Sequence, residues 1–102
     1  MKSVSQITAE VRTAIESRDS ELIQLLRDAC EKEAANALMS GLYFVKVRST
    51  DSLPHEYVQR IIREDLKVAG FEDIKICASG YDDDHDEPYG FYIRFSFPRN
   101  TF

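Results

Sequence analysis

Five carboxylates stand within six consecutive residues of this chain: Asp82, Asp83, Asp84, Asp86 and Glu87, interrupted by His85 and preceded by Tyr81. Carboxylates this close repel one another and need water, a cation or a basic surface beside them. Asp82, Asp84 and Asp86 alternate as the early ligands of an EF-hand do. The sixth position of such a loop is here Glu87 instead of Gly, and the twelfth is Ile93 instead of Glu, which excludes an EF-hand. A looser divalent-metal site, with a metal-dependent enzyme built on it, is one remaining reading; a solvated hairpin turn between Gly80 and Pro88 is the plainest. The leading expectation is a basic protein partner. Tyr81, Asp82, Asp83, Asp84, His85, Asp86 and Glu87 then form the contact surface of a non-enzymatic adaptor or inhibitor, a regulator that occupies a cationic groove.

A second constellation is spread over three segments. Phe44, Lys46 and Arg48 alternate with apolar residues, as do Tyr92 and Arg94, and Lys75 lies on the polar side of a third alternating segment. Cations interleaved with aromatics suit a single strand of RNA or DNA, the rings stacking on bases and the charges holding phosphates. The string Tyr89-Gly90-Phe91-Tyr92-Ile93-Arg94-Phe95 resembles the aromatic third-strand motif of RNA-recognition motifs. Tyr89 stands where that motif has a basic residue, and Ile93 where it has its second aromatic. The resemblance implies nucleic-acid binding on a sheet face. The formal net charge of -5 disfavours nucleic acid, so this is the alternative reading.

The remaining reactive residues are few. His55 follows Pro54 and is expected to be exposed and structural. His85 sits among carboxylates that favour its protonated form. Cys30 and Cys77 are too few for a disulfide framework or a zinc site and are expected to be buried free thiols, as in a reducing cytoplasm. Neither has an evident histidine partner for nucleophilic catalysis, and no cofactor motif is present. No enzyme activity, cofactor or metal is therefore expected.

The elements that must position these residues follow from apolar spacing. The 102 residues, 43% hydrophobic and 30% charged, make one globular domain, with a helical part over 1–40 and a βαββ part over 41–98. Met1 to Ser5 holds no apolar signal region, and no apolar run reaches the roughly 20 residues of a membrane span; the chain is expected in the cytoplasm. Residues 1–40 contain neither Pro nor Gly, and Ser40-Gly41 closes the segment. Val4, Ile7, Val11, Ala14 and Ile15 form one stripe, and Leu22, Leu25, Leu26, Ala29 and Ala37 a second. Ser17-Arg18-Asp19-Ser20 predicts a break between two helices, with Asp19 or Ser20 capping the second; one continuous helix over residues 3–39 is the alternative. Strands are expected over Leu42–Arg48, around Ile74–Ala78 and over Tyr89–Phe97. A helix carrying Tyr57, Val58, Ile61, Ile62, Leu66 and Ala69 is expected between the first two, with Pro54 in its first turn.

The fold class is α+β: two N-terminal helices and then a β-α-β-β unit. The third strand, being the most apolar, is placed between the first and second in a three-stranded mixed sheet with helices packed on it. That strand order resembles the first three strands of a ferredoxin-like fold over about residues 41–97, a likeness that implies no activity. A sheet this small leaves apolar surface to cover, and a homodimer through the N-terminal stripe is expected to supply part of that cover.

Overall fold

The computed structural model of the protein describes residues 1–79 and 90–101. Its order is α1 (Val4–Arg18), α2 (Ser20–Met39), β1 (Phe44–Ser49), α3 (Glu56–Val68), β2 (Glu72–Ala78) and β3 (Phe91–Ser96). This is the expected α+β arrangement, with two N-terminal helices.

Local chemistry sets the helix ends. Ser3 caps α1 in a reciprocal box: its Oγ accepts from the Gln6 N–H at 3.2 Å, and its own N–H donates to Gln6 Oε1 at 2.9 Å. The break between α1 and α2 is a single residue, Asp19. Its N–H still donates to the Ile15 carbonyl, and its carbonyl accepts from the Ile23 N–H. Asp19 occupies the N-cap position of α2 without capping through its side chain. Its carboxylate is taken by Arg18 instead, Nε to Oδ1 at 3.2 Å and Nη2 to Oδ2 at 3.0 Å. The hydrogen bond from Arg18 holds the Asp19 carboxyl below its ordinary range.

α2 and α3 end in the same way. Gly41 and Gly70 take positive φ, +78° and +101°. In each case the glycine N–H and the next N–H reach back to carbonyls of the last turn: Gly41 to Leu38 and Leu42 to Ala37, Gly70 to Lys67 and Phe71 to Leu66. These are paired Schellman contacts, and only glycine enters the left-handed region without a steric cost. At the start of α3 the structure corrects one expectation. The N-cap is His55, whose Nδ1 accepts from the Tyr57 N–H at 3.1 Å, so Pro54 lies before the helix and not in its first turn.

The strand order is β1-β3-β2, as expected from the apolar character of the third strand. Both hydrogen-bonded pairs are antiparallel, which corrects the expected mixed sheet. The crossover through α3 does make β1 and β2 run in the same direction, but β3 separates them, so no parallel pair forms. One irregularity shifts the register at the start of β2. Between Glu72 and Lys75 the second strand carries an extra residue relative to β3, and Asp73 takes φ +53° there. Aspartate is among the few residues that tolerate this conformation, and the bulge is where it is needed.

The helices form one layer over one face of the sheet. Val45 and Val47 of β1, Ile76 of β2 and Phe91, Ile93 and Phe95 of β3 are buried there with Ile23, Leu26, Cys30 and Ala34 of α2 and Val58, Ile62 and Leu66 of α3. α2 packs on β1 and α3 on β2. Phe71, brought back by the C-terminal turn of α3, meets Phe95 and Phe97 edge-on at 4.7 and 5.0 Å between ring centres. The molecule is 21 Å through its thinnest dimension, which is the depth of one helix layer on one sheet. α1 packs against α2 and α3 and buries only Ile15; Val4, Ile7 and Val11 stay exposed. No helix among the described residues is long and apolar enough to cross a membrane.

Candidate binding surface on the open sheet face

A strand sends alternate side chains to opposite faces, so burying Val45, Val47, Phe91, Ile93 and Phe95 turns their neighbours outward. Phe44, Lys46 and Arg48 of β1, Lys75 of β2 and Arg94 of β3 are exposed, and Tyr92 is half-buried. All six residues of the second constellation thus share one face, which no helix among the described residues covers.

The register arranges them further. Lys46 stands opposite Arg94, and Lys75 stands opposite Arg94 from the other side. Three cations therefore lie in one row across the sheet, one from each strand. The adjacent row is Arg48, Tyr92 and Cys77, and the row on the other side is Phe44, Ser96 and Glu72. Nine register positions thus hold four cations, two aromatic rings and one carboxylate. The Lys46 Nζ lies 4.7 Å from the centre of the Tyr92 ring, within cation–π range.

The ion pairs among the described residues lie on the helical side, where Lys32, Arg60, Arg63 and Lys67 nonetheless lack one. On the helices, Lys2 pairs with Glu10, Arg12 with Glu16 and Glu64, Arg18 with Asp19, and Arg27 with Asp65 at 2.6 Å. Among the described residues, no carboxylate forms an ion pair with Lys46, Arg48, Lys75 or Arg94. Like charges held one strand apart repel, so an anion arriving over the row relieves a cost already present in the fold.

The residues of the acidic run, Tyr81, Asp82, Asp83, Asp84, His85, Asp86 and Glu87, lie outside the described residues. The run connects β2 to β3 beyond Ser79 and Gly90, which are joined by a hydrogen bond from the Ser79 N–H to the Gly90 carbonyl at 2.8 Å. The run accounts for the whole net charge. Of 18 acidic residues five lie there, and the other 13 match the 13 Lys and Arg. Outside it the chain is neutral on balance and basic on its open face.

The other reactive groups are placed as follows. Cys30 is buried in the core, and desolvation, with Glu31 adding to it, pushes its thiol up to about 12. Cys77 departs from expectation: it is only half-buried, beside Tyr92 on the open face. His55 is exposed, its ring stacked on Tyr57 at 5.5 Å. Among the described residues no three metal-ligating side chains converge. Alternation alone does not assign Glu72 to the open face, because only the bulge sets it opposite Ser96.

A scan against protein-family models finds no match, and neither does a search of curated proteins or of solved structures. The chemistry of the face itself is thus the ground for a functional reading.

Proposed function

We propose that the chain is a non-enzymatic module that binds single-stranded nucleic acid on its open sheet face. The observation that carries this is the cross-strand row Lys46, Arg94 and Lys75, lined on one side by Arg48 and Tyr92 and covered by no helix among the described residues. Phosphodiesters supply the negative charge such a row lacks, and Tyr92 and Phe44 offer rings on which bases stack without regard to sequence. The charge objection weakens because the excess of carboxylate falls within residues 82–87 of the sequence, and the rest of the chain is neutral on balance. A labelled oligothymidylate in fluorescence anisotropy tests the reading. Binding should weaken with salt and be reduced by Tyr92→Ala or Arg94→Ala.

A second reading keeps the acidic run as the contact for a basic protein surface, with the chain as an adaptor or regulator. Its support is the density of carboxylates between residues 82 and 87. Affinity capture with the wild-type chain and an Asp-to-Asn variant of the run tests it. Both readings suit a cytoplasmic protein with free thiols. The exposed stripe of Val4, Ile7 and Val11 supports a homodimer, which light scattering at high micromolar concentration tests; a monomer there removes it.

A further inference from the structure

We infer that a bound single strand crosses the β-strands, its phosphates following Lys46, Arg94 and Lys75 in turn. The inference rests on the nucleic-acid reading above and adds a path to it. Neighbouring strands lie about 4.8 Å apart, so the row offers three positive charges over about 10 Å. No other line on the face does this. Along β1 the only cations are Lys46 and Arg48; along β2 there is Lys75 alone, and along β3 Arg94 alone.

The flanking rows agree with a transverse path. On one side Glu72 stands at the corner of the Phe44 and Ser96 row and repels phosphate from it. On the other side Tyr92 sits next to the cation row, so a base attached to a phosphate over Arg94 meets the ring directly. Lys46, now resting on that ring, leaves it for the phosphate when the base arrives. Arg48 lies off this path, in the ring's own row at the β1 edge.

Lys75 and Arg48 are therefore the discriminating pair. Both are exposed, so Lys75→Gln and Arg48→Gln leave the core untouched. The probe is a twelve-residue oligothymidylate, titrated with the full chain across a salt series. For single strands the logarithm of the binding constant falls with the logarithm of salt by about 0.7 per phosphate contact. The transverse path predicts a wild-type slope near −2, about three contacts. It predicts that Lys75→Gln flattens the slope by about 0.7 and that Arg48→Gln leaves it unchanged. The reverse, with Arg48→Gln flattening the slope and Lys75→Gln silent, overturns the path in favour of one along β1. Equal flattening by both also overturns it, since it marks diffuse attraction to the whole face. No binding by the wild-type chain at low salt removes the nucleic-acid reading itself, a result separate from either failure of the path.

Discussion

The ammonium of Lys46 lies 4.7 Å from the centre of the Tyr92 ring, one strand over and two register positions off. The contact joins the two chemistries of the open face, a charge for phosphate and a ring for a base. It also gives the ring a defined place before any ligand arrives. Tyr92→Ala should lower affinity for oligothymidylate by about 1–3 kcal/mol, the usual worth of one stacked base. Tyr92→Phe, which keeps the ring, should retain most of it. Anisotropy titrations on both variants check this; wild-type affinity in the alanine variant means that the ring takes no base.

Phe95 is fully buried at the centre of the sheet, against Phe71. Phe95→Ala should cost about 3–5 kcal/mol in urea unfolding, the range for emptying an aromatic core site. A loss under about 1 kcal/mol would mean that the site collapses on itself or that the face is not the core.

Much of this fold is legible in the sequence, and the reasons are local. A period of two separates Val45 and Val47 from Lys46 and Arg48, so alternation alone assigns the faces of β1. The same holds for Phe91, Ile93 and Phe95 against Tyr92 and Arg94. Register is not legible in this way. At the start of β2 it depends on the extra residue at Asp73, whose positive φ no alternation rule announces, and without it Glu72 would not stand opposite Ser96. Nor does a stripe say whether anything covers it. Val4, Ile7 and Val11 share a helix face as their spacing requires, yet only Ile15 at the end of the stripe is buried. The side-chain cap expected at the second helix fails for a third reason: Asp19 has the right side chain, but Arg18 beside it is the stronger partner.

The two thiols should behave differently. Burial pushes the Cys30 thiol up to about 12, so near pH 8 it is almost wholly protonated and shielded in the core. Cys77 is half-buried on the open face. A maleimide should label one cysteine, Cys77, in the native chain and the second only on unfolding, with mass spectrometry of the peptides as the check. Bound oligonucleotide should slow the labelling of Cys77. Rapid native labelling of Cys30 contradicts the packing of α2 on the sheet.

Replacing Asp82, Asp83, Asp84 and Asp86 by Asn removes four of the five charges of the acidic run. Folding should be unchanged or slightly improved, because like-charge repulsion falls. The variant separates the two functional readings. With the sheet face as the site, oligonucleotide affinity rises at low salt and the rise shrinks as salt screens it. With the run as the site, association with a captured basic partner slows instead.

Arg94 is the middle of the cation row and the residue opposite both Lys46 and Lys75. The most direct test of the account is the salt dependence of oligothymidylate binding by the wild-type chain and by Arg94→Gln, with thermal midpoints measured alongside. The account predicts binding by the wild-type chain at low salt. In Arg94→Gln it predicts an affinity several-fold lower, a log–log slope flatter by about 0.7 and a midpoint unchanged or slightly raised, since repulsion along the row falls. An Arg94→Gln chain that binds with the affinity and slope of the wild type, or a wild-type chain that binds no oligonucleotide at low salt, contradicts it.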